Sequence, residues 1–260
     1  MSLLPKHLPI LMYHQILPKN HPYIKEHIVV ENTVLQAQLE ELIAQGWSFQ
    51  NLKDWGTLKS QSNKVAILTF DDITSAFIDY ALLVLQKLNV TATLFPIQNM
   101  MQGKPYLNLS PNGLNPLTEN DLKKLDQMGF EIGSHGQSHS NMALIPFSQV
   151  EKEIAESKSW LESLLGHEIH SICYPIGGVN RDIVNLALKH GYKVGVTTLK
   201  GTLQGSQDDM VLRRINIKND VVGNRLQYAV SPFYGFRRFI FRLFRAKYRV
   251  DNPHTVFDGA

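Results

Sequence analysis

Val65-Ala66-Ile67-Leu68-Thr69-Phe70-Asp71-Asp72 is the stretch on which the reading of this chain turns. The apolar run from Val65 to Leu68 has the composition of a buried strand, yet it drives into two adjacent carboxylates. Ala76 to Leu88 follows at helical spacing, with Phe77, Tyr80, Leu83, Val84 and Leu88 recurring. Like charges this close repel and raise one pKa unless a cation or a hydrogen-bond donor answers them. Asp is also a common helix cap, so the pair alone leaves a structural and a functional reading open.

Outward from that stretch, strand and helix patterns alternate. Ile10 to His14 reads as a short strand, and a helix from Asn32 or Thr33 to Gln45 puts Leu35, Leu39, Leu42 and Ile43 on one face. Phe49 to Leu52 and Val90 to Phe95 read as strands. Residues 98–117, with Gly, Asn and three prolines, read as a long loop. Thr118 with Asp121 has the spacing of a capping box for a helix to Met128. Further strands are expected at Phe130–Gly133, Ile169–Tyr174, Tyr192–Thr197 and Val211–Ile217, and helices at Phe147–Leu165 and Arg181–His190. Alternation without repeat or linker argues for a parallel sheet wrapped by helices, most simply a (β/α) barrel. The loops after the strands carry the chemistry in such a fold. His14, Asp71-Asp72, His135 with His139, and Pro175-Ile176-Gly177 each stand just beyond an expected strand.

Bulk composition narrows the field. A chain of 260 residues with 43% hydrophobic and 19% charged residues can bury one large α/β core. Cys173 is the lone cysteine, which excludes an internal disulfide and a cysteine-based zinc site. No apolar stretch reaches membrane-spanning length, and the start lacks the pattern of a signal peptide. Residues 231–260 hold six Lys/Arg and two Asp, leaving 20 basic and 21 acidic residues in 1–230. The body is therefore neutral, and nucleic-acid binding has no electrostatic support there.

His135 and His139 stand four apart in Ser134-His135-Gly136-Gln137-Ser138-His139. With one carboxylate they make a two-His, one-Asp site that leaves positions open for water and substrate. Such a donor set suits zinc first, with Co2+, Ni2+ or Fe2+ also accepted. Solvated surface histidines are the alternative on these two residues alone.

Thr69-Phe70-Asp71-Asp72, Ser134-His135-Gly136-Gln137-Ser138-His139 and Tyr174-Pro175-Ile176-Gly177 resemble the first three motifs of the polysaccharide deacetylase family, the NodB-homology domain or carbohydrate esterase family four. The resemblance covers about residues 8–217 in order and spacing. It implies a distorted (β/α)7-type barrel that removes N-acetyl groups from glycans, with Asp72, His135 and His139 as metal ligands. It also implies Asp71 as the base that takes a proton from the water the metal activates, and the Ile176 N–H, in the Tyr174-Pro175-Ile176-Gly177 turn, as oxyanion donor. An O-acetyl esterase or deformylase using the same site, and a glycan-binding protein without catalysis, are the alternatives.

The chain departs from the family pattern in three places. Cys173 stands where the third motif usually opens with an arginine, and Arg214, in Leu212-Arg213-Arg214-Ile215, resembles the arginine that partners the base in poly-N-acetylglucosamine deacetylases. The late Leu-x-His motif is missing; His14, in Leu11-Met12-Tyr13-His14, resembles the Tyr-His of that branch, whose barrel is circularly permuted relative to most of the family. A histidine near its ordinary pKa of about 6.5 suits protonation of a leaving amine. The Asp and Trp of the fourth motif are not recognisable.

The expected organisation is a deacetylase barrel over 1–230 and a basic amphipathic tail over 231–260. In the tail Phe236, Ile240 and Leu243 share one helical side, and Arg238, Arg242, Arg245 and Arg249 another. Peripheral contact of residues 233–249 with an anionic membrane is one expectation, and packing on the barrel the other. Cytoplasmic location, at the inner face of the membrane, goes with the first. The expected partner is an N-acetylated glycan.

Overall fold

The computed structural model describes residues 6–25, 28–58, 64–107, 114–204 and 209–237. Seven strands form the frame: β1 (Ile10–Tyr13), β2 (Val65–Asp71), β3 (Thr93–Phe95), β4 (Glu131–Ile132), β5 (Ser171–Cys173), β6 (Val194–Lys200) and β7 (Leu212–Asn216). They pair in the order β4-β3-β2-β1-β7-β6-β5, and every pairing along that path is parallel. A parallel bridge between Ser134 and Ile172 joins the two ends, through Ser134 N–H to the Ser171 carbonyl at 3.0 Å and Cys173 N–H to the Ser134 carbonyl at 2.8 Å. The sheet is a nearly closed barrel of the expected (β/α)7 type.

Helices α1 (Asn32–Ala44), α2 (Leu82–Lys87), α3 (Glu119–Gln127), α4 (Phe147–Leu165) and α5 (Arg181–Lys189) cover its outside. Their positions agree with the hydrophobic spacing, and Thr118 with Asp121 forms the expected capping box. The helix foreseen over Ala76–Leu88 begins instead with a wider, π-type turn at Phe77–Ala81. The expected loop after β3 opens with a short helix, Gln98–Met101. Directly after His14, Gln15–Leu17 pairs with Val29–Glu31. No described helix is long and apolar enough to cross a membrane.

Strand periodicity sorts the side chains into two layers. Val65 and Ile67 of β2 lie in an interior cluster with Ile10, Phe95, Cys173, Val194, Val196 and Leu212. Ala66, Leu68 and Phe70 point the other way, into the larger core beneath the helices. Successive residues alternate faces, so Asp71 shares the inward phase of Val65 and Ile67. By the same count Cys173, His14 and Arg214 face inward on their own strands.

The seam between β4 and β5 depends on one buried carboxylate. Glu131 Oε1 accepts from Ser171 Oγ at 2.6 Å, and Oε2 from Thr93 Oγ1 and the Lys53 N–H, both at 2.8 Å. Gly133 beside it admits no side chain, since a Cβ there would lie 2.4 Å from the Phe95 ring. Burial raises the Glu131 carboxyl above its ordinary 4.5, against the donors that lower it. The folded state therefore holds that proton more tightly than the unfolded chain, and stability falls as pH rises through the folded value. Denaturation midpoints measured from about pH 4 to 8 should show a flatter profile for Glu131→Gln than for the parent. Glu131→Ala, which strands two hydroxyls and an N–H, should cost about 2–4 kcal/mol.

Candidate active site and metal centre

Because the strands run parallel, their C-terminal ends open at one mouth, and the polar clusters meet there. Asp71 closes β2 and is buried, 2% exposed. The guanidinium of Arg214, 1% exposed, grips it in a two-pronged ion pair, Nη1 to Oδ1 and Nη2 to Oδ2, both 2.7 Å. Arg214 also donates from Nε to the Thr197 carbonyl at 2.9 Å and from Nη1 to Thr69 Oγ1 at 3.0 Å. Cys173 completes the ring: its sulfur lies 3.1 Å from Arg214 Nη2 and its thiol 3.4 Å from Asp71 Oδ2. Burial alone would raise the Asp71 carboxyl, and the Arg214 guanidinium overrides it and holds the group well below the usual carboxylate range.

Asp72 leaves the strand in a left-handed conformation, φ 53°. Its carbonyl accepts from Gln15 Nε2 at 2.6 Å, and Gln15 is held in turn by Thr74 Oγ1 at 2.7 Å. The Asp72 Oδ1 atom lies 3.4 Å from His135 Nε2 and 3.3 Å from His139 Nε2. Each imidazole has its other nitrogen on a backbone carbonyl at 2.8 Å, His135 Nδ1 on Cys173 and His139 Nδ1 on Leu107. A carbonyl only accepts, so Nδ1 carries a proton and Nε2 is the nitrogen turned toward Asp72. Two imidazole nitrogens and a carboxylate oxygen thus face one another in a buried pocket, and Asp72 Oδ1 makes no hydrogen bond within the described residues. Two imidazoles and a carboxylate within 4.8 Å of one another fit a divalent cation of the zinc type.

The turn Tyr174-Pro175-Ile176-Gly177 lies against the histidine loop, since a Cβ on Gly136 would come within 3.7 Å of the Pro175 ring. Ile176 sits at φ 58°, an uncommon conformation for a β-branched residue. The turn's own bonds run from Gly177 N–H to Tyr174 and Gly178 N–H to Pro175. The Ile176 side chain is 44% exposed at the rim. His14 follows β1, close enough to Asp71, Asp72, Arg214 and His135 to feel each charge. Burial lowers its pKa, the two carboxylates raise it, and the net shift is downward.

Asp71, Arg214, Asp72, His135, His139 and His14 therefore gather at this mouth, with the Pro175 ring beside the histidine loop, whereas the Tyr174 side chain packs into the core beneath the helices. Sequence reasoning missed Thr69, Thr197, Gln15 and Glu153. Glu153, on α4, accepts from the backbone N–H groups of Gln137 at 2.7 Å and Ser138 at 2.9 Å, and from Ser138 Oγ. Its signal was available: the buried residues of α4 are Val150, Glu153, Ile154, Ser157 and Leu161, so a carboxylate occupies the core-facing stripe.

A model of the polysaccharide deacetylase family matches residues 58–195. YxkH of Bacillus subtilis, which carries that family's name, is 29% identical over 85% of this chain and 75% of its own length. The poly-β-1,6-N-acetyl-D-glucosamine N-deacetylase of Staphylococcus epidermidis is 25% identical over 76% of this chain and 70% of its own. Among solved structures, the Streptococcus pyogenes deacetylase PplD in complex with acetate superposes with a TM-score of 0.77 at 25% identity, covering 88% of this chain and all of that one.

The Asp71–Arg214 pair is buried on both sides, so removing one partner strands the other. Arg214→Met should cost about 3–5 kcal/mol in urea denaturation of the metal-free protein, and adding Asp71→Leu should recover most of that loss.

Proposed function

The chain belongs to the polysaccharide deacetylase family of hydrolases, and from that premise we propose that it is a metal-dependent enzyme removing N-acetyl groups from a hexosamine-containing glycan. The observation that carries this reading is the convergence of Asp72, His135 and His139 beside a carboxylate held ionised by Arg214. A binding protein would have no use for a base and a ligand set so close together. The N-acetylated substrate is supported by the relative named as a poly-β-1,6-N-acetyl-D-glucosamine N-deacetylase.

Asp72, His135 and His139 would hold the cation, zinc in the first instance; when bound it would polarise the acetamide carbonyl and acidify the attacking water. Asp71, kept ionised by Arg214, takes the proton that the water loses as its oxygen bonds to the carbonyl carbon. The Ile176 N–H donates to the oxygen on which negative charge develops. His14 then gives a proton to the nitrogen as the carbon–nitrogen bond breaks, releasing acetate and a free amine. A pKa drawn downward by burial makes His14 a readier donor once protonated. Arg214 touches neither water nor glycan in this scheme: it fixes the orientation and charge of Asp71.

The same reading takes the barrel as permuted, supported by β1, the first of the seven barrel strands in sequence, lying between β2 and β7 and delivering His14. It divides the chain near residue 230, after Val230, which is still buried. Beyond it residues 232–237 are helical, with Phe233 75% and Phe236 57% exposed. Residues 238–260, most of the basic tail, lie outside the described residues. Exposed phenylalanines next to a basic run support contact with the surface of an anionic membrane at its inner face.

Acetate release from N-acetylglucosamine oligomers measures the central reading. Chelation should abolish it and zinc restore it, and Asp71→Asn should lower it by about 100- to 10,000-fold. Full activity in that variant would remove Asp71 from its role. In vesicle sedimentation, protein cut after residue 230 should lose low-salt binding to anionic lipid that the full chain shows; equal binding by both would sink the membrane reading.

A further inference from the structure

The two histidines stand on a segment with no regular structure of its own. Gly136 and His139 both adopt left-handed conformations, φ 74° and 60°, so neither helix nor sheet hydrogen bonds fix the loop. Buried backbone groups must still be satisfied, and those of Gln137 and Ser138 find their partners outside the loop. The carbonyls of Gly136, Gln137 and Ser138 accept from the N–H groups of Gln98, Asn99 and Leu107, at 3.3, 2.8 and 2.8 Å. The segment after β3 therefore grips the loop on one side. On the other, the N–H groups of Gln137 and Ser138 and the Ser138 hydroxyl all go to Glu153.

Glu153 is 5% exposed and spends both carboxylate oxygens on the two residues between Gly136 and His139. Its neighbour one turn along, Ser157, lies 2.7 Å from Ser134 Oγ, so α4 anchors the loop at its start as well. Gly136 is part of the fit, since a Cβ there would come 2.9 Å from Glu153 Oε2. The carboxylate replaces the backbone partner that a helix or sheet would have supplied.

We propose that Glu153 is a positioning residue for the metal centre, acting through the Gln137–Ser138 backbone to hold the two imidazoles in chelating register. The proposal rests on the metal-dependent reading above. Groups one shell out from metal ligands are worth about 10- to 100-fold in affinity, because a loop free to sample other conformations must be ordered when the ion binds. Glu153→Gln keeps the shape but exchanges the charge-assisted bonds to the two N–H groups for weaker neutral ones. Glu156→Gln is the control, on the same helix and bonded to the Gln137 side chain instead of the backbone.

Zinc dissociation constants of the metal-free full chain, measured by competition with a chromogenic chelator, test this alongside thermal midpoints of metal-free and zinc-loaded protein. Glu153→Gln should weaken zinc about 10- to 100-fold and shrink the zinc-induced rise in midpoint, while kcat at saturating zinc returns toward the parent value. Glu156→Gln should bind zinc as the parent does. A folded Glu153→Gln with parental zinc affinity would overturn the proposal, as would an equal loss in Glu156→Gln. If Glu153→Gln does not fold, Ser138→Ala, which removes one of the three donors, decides: weaker zinc supports the proposal and parental affinity overturns it. A parent chain that binds no zinc overturns the metal reading itself, a result distinct from any of these.

Discussion

A bidentate ion pair sealed inside the barrel, Asp71 with Arg214, is the interaction around which the mouth is built. Taking both charges out of water is expensive, and their attraction offsets that cost only with good geometry and satisfied remaining donors. Both conditions hold. Two parallel 2.7 Å contacts join the groups, and the other guanidinium donors reach Thr197 and Thr69. Thr69 sits on the same inward phase of β2 as Asp71, and Thr197 comes from the neighbouring β6, so three strands must keep register for the pair to form. The register of these three strands and the state of the central carboxylate are one problem.

Strand geometry sets a second constraint. Consecutive strand residues face opposite sides, so Asp71 and Asp72 cannot both point into the mouth from a regular strand. The left-handed turn at Asp72, φ 53°, breaks the alternation there. Gln15 and Thr74 hold the turned backbone. His139 and Ile176 carry similar values, and of the four non-glycine residues with positive φ among those described, the fourth, Asn89, lies at the far end of α2. Conformations that cost free energy gather where the surroundings over-determine them. Here Asp72 and His139 each bring a polar atom to the mouth that regular structure would turn away.

Much of this was legible in the sequence because period and position carry it. Alternating strands and helices gave the barrel, and the rule that chemistry follows the strands located His14, Asp71-Asp72, His135 and His139. Arg214 was harder, since only the family resemblance singled it out, although the apolar Leu212 two residues earlier shares its inward phase. Glu153 was lost for the opposite reason, since a glutamate within a long amphipathic helix reads as solvent-facing unless its phase is counted. The partners of Gln15, Thr69 and Thr197 are long-range in sequence, and no local pattern announces them.

Cys173 then makes sense as half of a coupled choice. The position where the family resemblance leads one to expect an arginine is filled by a small thiol, touching both Asp71 and Arg214. Asp71 offers two oxygens, and the Arg214 fork already uses both. A second guanidinium delivered from β5 would be a buried cation without a carboxylate, beside another of the same sign, and such a charge is strongly disfavoured. The interior can therefore take its arginine from β5 or from β7, but not from both. With the arginine on β7, the β5 position must be small, uncharged and tolerant of a polar neighbour, and a buried thiol, its pKa raised by burial, meets all three demands. The departure that weakened the sequence motif is thus a consequence of where the partner of Asp71 was placed.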